Sequence, residues 1–104
     1  FEELYTDLAT KIDEIAERIL TLGHTPYHSY TDMLEKSRVK PTKNVTDGFE
    51  AVDHILSAFR TILEHQRVLL DLSDKTDDEG TNSLMSDYIT QQEKLVWMYN
   101  SYMS

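Results

Sequence analysis

The stretch LYTDLATKIDEIAERILTLG, residues 4–23, decides the fold class. Leu4, Leu8, Ile12, Ile15, Ile19 and Leu22 recur at steps of three and four, with Glu, Asp, Lys and Arg between them. That is the stripe of an amphipathic helix and not the alternation of a strand. Gly23 closes it, because glycine takes the left-handed conformation that ends helices without a Cβ penalty. At the other end Phe1, Glu2 and Glu3 have no capping residue ahead of them and the period is already running, so the chain is expected to start inside a helix or close to its beginning.

Working outward, the next segment, His24 to Asn44, holds both prolines, Pro26 and Pro41, and reads as a connection long enough to cross a bundle. Within it Ser29 can cap a short helix through about Lys36. Thr46 or Asp47 can cap a second long helix whose stripe is Val52, Ile55, Leu56, Phe59, Ile62, Leu63, Leu69 and Leu70, ending near Ser73. The acidic, glycine-containing segment DKTDDEG, Asp74 to Gly80, then turns the chain. Leu84, Met85, Tyr88, Ile89, Leu95, Val96, Tyr99 and Tyr102 mark a third long helix. The expected boundaries are about residues 1–22, 29–36, 47–73 and 79–103, within a single all-α domain spanning 1–104. Three long helices make an incomplete bundle, since each stripe needs a facing surface and the usual closed arrangement has four. The fourth is expected from residues outside this sequence or from another chain.

Composition narrows the chemistry. There are 10 Lys plus Arg against 19 Asp plus Glu, a formal charge of −9, which argues against a phosphate-backbone partner and for a cation. With no cysteine there is no disulfide, thiolate metal site, iron–sulfur cluster or cysteine nucleophile, and the cytoplasm is the expected compartment. No apolar run approaches the roughly 20 residues of a membrane span, and the first residues are acidic, unlike a signal peptide. A chain of 104 residues buries a modest core on its own, which makes homo-oligomerisation an expectation.

Asp13 and Glu17 are the candidate ligands. Four residues apart on a helix, their carboxylates share one side within reach of a single ion, and hard oxygen donors suit Fe(II), Mn(II) or Mg(II). The competing reading is a solvated face laced with salt bridges, since Lys11, Asp13, Glu14, Glu17 and Arg18 are mixed in sign. Glu2 lies eleven residues before Asp13, on much the same face but about 16 Å away along the axis, so one helix cannot bring both to one ion. Two copies packed antiparallel about a twofold axis can, with Glu2 of one facing Asp13 and Glu17 of the other. His24 and His28 lie in a Pro-flanked loop and His54 and His65 are eleven apart, so all four read as surface or packing residues. The Glu-x-x-His motif of four-helix di-iron proteins is absent, which argues against a di-iron site built within one chain. No nucleophile elbow or phosphate-binding glycine loop is present. Trp97, Tyr99 and Tyr102 read as core or interface filling, with an electron-transfer cluster as the alternative.

DEIAERILTLG (Asp13 to Gly23) resembles a helix of the Dps proteins, the miniferritins that protect DNA during starvation. FEELY (Phe1 to Tyr5), DDEGTNSLMSDY (Asp77 to Tyr88) and EKLVWMY (Glu93 to Tyr99) resemble the same family in the same order, so the resemblance covers nearly the whole chain. It implies a ferritin-like four-helix subunit, of which three long helices and a short connecting helix are present here, assembled as a hollow dodecamer. It also implies a ferroxidase that converts Fe(II) to Fe(III), preferentially with hydrogen peroxide, and stores the mineral inside. Asp13 and Glu17 match the Asp-x-x-x-Glu that one subunit gives to the twofold ferroxidase centre, and Glu2 falls where the other subunit offers an acidic residue. The family's two histidine ligands belong to positions ahead of Phe1, so the first helix of the family is expected in a segment not included in this sequence. Asp77, Asp78 and Glu79 resemble the acidic region near the family's threefold pores, with a merely polar turn as the competing reading. DNA binding in the family rests on a Lys-rich tail, and these residues do not support it. The alternatives to the enzyme are a non-enzymatic helical scaffold and a nucleoid-associated, DNA-protecting protein.

Overall fold

A computed structural model describes residues 2–27, 29–39 and 47–104. These residues form four helices and, among them, no strand: α1 Glu2–Thr21, α2 Tyr30–Lys36, α3 Gly48–Lys75 and α4 Glu79–Met103. They divide into two compact units, residues 1–37 and 38–104, each described in turn.

The first unit is built on α1. Glu2 and Glu3 occupy its first turn and Arg18 its last, the order of charge that the helix dipole favours. Its end is a Schellman motif: Gly23 N–H donates to Leu20 O and His24 N–H to Ile19 O, both at 3.0 Å. The motif needs a left-handed residue at its centre, and Gly23 supplies φ +87°. Leu4, Leu8 and Ile19 are half-buried while Ile12, Ile15 and Leu22 are exposed. The one fully buried side chain of α1 is Lys11, whose Nζ lies 2.7 Å from Asp7 Oδ2 one turn earlier. After α1, Ser29 takes extended backbone and caps α2, its Oγ accepting from Asp32 N–H at 3.4 Å.

The second unit is an antiparallel hairpin of α3 and α4. Asp47 caps α3 by accepting from Phe49 N–H at 3.0 Å; the other expected cap, Thr46, lies outside the described residues. α3 runs to Lys75, two residues beyond the expected end, because the chain closes it only at Asp77, which takes φ +58°. There Asp77 N–H donates to Asp74 O at 3.3 Å and Asp78 N–H to Ser73 O at 2.8 Å. This is a second Schellman closure with aspartate where glycine is usual, tolerated because a short polar side chain enters the left-handed region at low cost. Gly80 takes no part in it and lies in the first turn of α4. Asp78 begins α4 as its cap, Oδ1 accepting from Thr81 N–H at 3.2 Å and Oδ2 from the Thr81 hydroxyl at 2.6 Å.

Val52, Phe59, Leu63, Met85 and Tyr88 form the buried apolar core of the hairpin. Val52, Phe59, Gln66 and Ser73 recur every seven residues along α3 and all are buried, the repeat of a helix pair packed as a coiled-coil seam. Gln66 faces Gln92 in that seam, Nε2 donating to Oε1 at 2.7 Å. Asn82 Nδ2 donates to Leu70 O at 3.0 Å nearer the turn, and Phe49 stacks on Tyr102 at the open end with ring centroids 5.4 Å apart. No helix among the described residues is long and apolar enough to cross a membrane.

Candidate metal centre

Glu2, Asp13 and Glu17 are exposed on α1. At 100° per residue Glu2 and Asp13 fall about 20° apart in azimuth and Glu17 about 40° beyond Asp13, so the three carboxylates form one row along the helix. The mixed-sign face does not neutralise that row. Lys11, the nearest cation before Asp13, turns back to Asp7 with both carboxylate oxygens at 2.7 and 2.8 Å. Among the described residues no Lys, Arg or His forms an ion pair with Glu2, Asp13 or Glu17.

Beside the acidic row runs an exposed apolar band that shares Ile12 with the stripe of residues 4–22 and adds Tyr5 and Leu20 to it. Tyr5, Ile12 and Leu20 are 76%, 56% and 60% exposed, with Ala9 and Ala16 between them on the same side. Together with the half-buried residues the apolar surface of α1 spans about 160° of its circumference, well over the ~100° that a surface helix of a lone subunit needs. A carboxylate row edged by exposed Tyr, Ile and Leu is the composition of a surface that another helix covers.

Within one chain the carboxylates do not close a site: among the described residues no three His, Asp or Glu side chains converge to hold a metal. Asp13 and Glu17 offer two oxygen-donor groups on one turn, fewer than a hard divalent ion takes, so the donor set suits such an ion only when a further surface contributes ligands. The histidines are dispersed. His24 is exposed after the α1 cap, His54 lies 3.6 Å from Glu50 on its own helix, His65 is half-buried on α3, and His28 is outside the described residues.

The acidic turn divides by role. Asp77 is the exposed left-handed residue of the α3–α4 turn and Glu79 is exposed in the first turn of α4. The half-buried Asp78 carboxylate holds the cap on Thr81. Trp97 and Tyr102 are 65% and 59% exposed and Tyr99 half-buried, so these three aromatic residues lie outside the buried core of the hairpin, to which α4 gives Tyr88 instead. A shallow groove between α3 and α4, edged by Arg60, Glu64, Arg67 and Asn100, carries both signs of charge, and Arg67 pairs with Glu93 at 3.0 Å across it.

Residues 1–104 match the family model described as a ferritin-like domain. The chain is 48% identical over 101 residues to an uncharacterised protein of Haemophilus influenzae, covering 97% of this chain and 63% of that protein. It is 34% identical over 102 residues to the DNA protection during starvation protein of Porphyromonas gingivalis, covering 98% of this chain and 64% of that protein. It is also 34% identical to DNA protection during starvation protein 2 of Bacillus anthracis, covering 100% of this chain and 71% of that one. The chain thus spans slightly under two thirds of the first two of these relatives. Among solved structures it is similar to the Dps protein of Vibrio cholerae O1, described as one of a broad superfamily of ferritin-like diiron-carboxylate proteins. The TM-score is 0.97 at 48% identity, over 99% of this chain and 65% of that one. Dps from Staphylococcus aureus gives a TM-score of 0.95 at 29% identity, over 99% of this chain and 69% of that one. The four helices are therefore the elements of an all-α, ferritin-like fold.

Proposed function

We propose, since the chain belongs to the ferritin-like family in its Dps branch, that it binds and oxidises Fe(II) at a site shared between two copies and stores the product as Fe(III) mineral. Asp13 and Glu17 of one copy bind iron directly, and Glu2 of the partner reaches the same ion directly or through water. The observation that carries this reading is the un-neutralised row of Glu2, Asp13 and Glu17 beside an exposed apolar band on α1. Mating two such bands about a twofold axis removes apolar surface from water and sets the start of one helix beside the middle of the other. It also lowers the local dielectric around carboxylates that already attract a cation, which strengthens their hold on it.

The substrate supplies the electrons. Hydrogen peroxide accepts two of them from two Fe(II) ions and, with two protons, leaves as two molecules of water. The protein positions the ions and provides anionic oxygen donors, which stabilise Fe(III) over Fe(II) because the harder, more highly charged ion gains more from carboxylate ligation. Asp77 and Glu79, with Asp78 behind them, raise the local cation concentration at an entry pore of the shell by the field of clustered carboxylates. The shell is a homo-oligomer, a dodecamer as the resemblance implies, with residues 1–104 forming one domain of each subunit. Its formal charge of −9 opposes contact with DNA by these residues, so any DNA-protecting action rests on removing iron and peroxide or on a basic segment outside them.

Replacing Asp13 and Glu17 together with Ala tests the proposal in the full-length protein. Loss of peroxide-dependent Fe(II) oxidation with the assembly intact supports it. Oxidation at the original rate would leave a helical scaffold, with acidic faces that only solubilise, as the better reading.

A further inference from the structure

The α3–α4 seam contains a buried polar contact between two side chains, and the neighbours of that contact give it a role. Gln66 and Gln92 are 7% and 2% exposed and joined at 2.7 Å, with no buried side-chain nitrogen or oxygen left unpaired among the described residues. The residues one turn away on the same faces are apolar and at least half-buried: Ile62, Leu63 and Leu70 on α3, and Tyr88, Ile89, Leu95 and Val96 on α4. Sliding α4 past α3 by one turn, about 5.4 Å, would still set apolar side chains against apolar side chains along most of the seam. At the two glutamines it would not. Each amide would meet Leu, Ile, Val or the face of Tyr and lose its hydrogen bond in a place water does not reach.

We propose that the buried Gln66–Gln92 hydrogen bond is the register key of the hairpin, admitting one axial setting of α4 against α3 where the apolar seam alone admits more than one. The ties made by Arg67, Asn82 and Phe49 are weaker for this purpose. Arg67 and Glu93 are each about half exposed, and their long side chains can follow a shift of the helices. Asn82 bonds Leu70 O beside the turn, where either partner reaches water on rearrangement, and the Phe49–Tyr102 stack lies at the exposed open end. A single buried polar residue at a core position of paired helices is the device that fixes register at the expense of some stability, and the two glutamines have that composition and place.

Residues 1–104 contain no cysteine, so nitroxides can be attached at two new ones, Ser57→Cys on α3 and Ser86→Cys on α4, both exposed, with any cysteine outside these residues replaced by Ser. Labelled full-length chain is diluted with unlabelled chain so that only distances within one subunit are read. The parent is expected to give one narrow distribution. Gln66→Leu and Gln92→Leu, each leaving a buried amide unpaired, are expected to lower the unfolding midpoint by roughly 5–10 °C. The double Leu variant is expected to recover that loss and yet show a broadened or second distance population, displaced by about one helical turn. Distances are measured in all three variants, so the outcome does not depend on any one of them folding well. A parent-like single narrow distribution in every folded variant overturns the proposal, as do single variants that keep the parent's midpoint.

Discussion

Lys11 Nζ contacts Asp7 Oδ1 and Oδ2 at 2.8 and 2.7 Å, one turn toward the start of α1, and no cation among the described residues pairs with Asp13. Spacing decides this: Asp7, four residues before Lys11, shares its side of the helix, whereas Asp13, two residues after it, points about 200° around the axis. The sequence leaves a salt-laced face as the competing reading of these residues, whereas the structure separates a neutralised pair at Asp7–Lys11 from the row of Glu2, Asp13 and Glu17.

The first prediction concerns that row. Asp13→Asn and Glu17→Gln keep shape and remove charge, so each is expected to slow Fe(II) oxidation on the order of tenfold, and the double Ala variant to bring it to background. Stopped-flow absorbance, mixing anaerobic Fe(II)-loaded protein with peroxide, checks this. Glu2→Gln is expected to do the same more weakly, and only in the assembled protein. A Glu2 effect of equal size in dissociated chains would contradict the shared site.

The second follows from Lys11 itself. Its side chain is 7% exposed and its partner's 41%, so Asp7→Ala leaves an ammonium with little access to water and no Asp7 carboxylate. The pair is only half-screened, and the expected loss is about 1–2 kcal/mol, below that of a fully buried pair. Urea unfolding measures it. Asp7→Asn should recover part, because the amide oxygen still accepts from Nζ.

How much of this was legible in the sequence depends on whether the cause is local. Gly23, Ser29 and Asp47 stand where the period starts or stops, and each takes the capping role its chemistry suggests. The α3–α4 turn was legible as a turn but not in its centre: the left-handed residue is Asp77, while Gly80, the residue with the greater freedom, lies in the helix. Helix propagation through Asp74 and Lys75 decided that, and no single-residue preference encodes it. Gln66 falls on the seven-residue repeat of Val52 and Phe59, so its burial could be read from spacing; its partner could not, because pairing depends on how two distant helices align. The outer apolar band of Tyr5, Ile12 and Leu20 is visible on a helical wheel, but only exposure in the folded chain shows that it lies outside the buried face.

The third prediction uses the cap that ends α1. Gly23 has φ +87° and open space for at least 4 Å around the place an alanine methyl would take, so Gly23→Ala meets backbone strain without a clash. The expected cost is about 1 kcal/mol, the penalty of holding an L-residue in the left-handed region, read as a lower midpoint with unchanged Fe(II) oxidation. Gly23→Asn should cost less, since asparagine enters that region more easily.

The last prediction separates two roles in the acidic turn. Asp78 accepts from both the backbone N–H and the hydroxyl of Thr81, so Asp78→Ala removes an α4 cap and is expected to cost about 1 kcal/mol. Asp78→Asn keeps an acceptor for the N–H and should retain most of that stability, so any loss of iron uptake in Asp78→Asn reports charge and not folding. Asp77 and Glu79 are exposed, with no such structural duty at their carboxylates, and the pair Asp77→Asn, Glu79→Gln is expected to leave the unfolding midpoint nearly unchanged. If these carboxylates draw cations to a pore, that pair slows Fe(II) uptake several-fold at low salt, and the difference from the parent shrinks as ionic strength rises and screens the field. Uptake equal to the parent's at low salt would reduce the segment to a polar turn. A deficit that persists unchanged at high salt would mean direct ligation by these residues, not attraction through space.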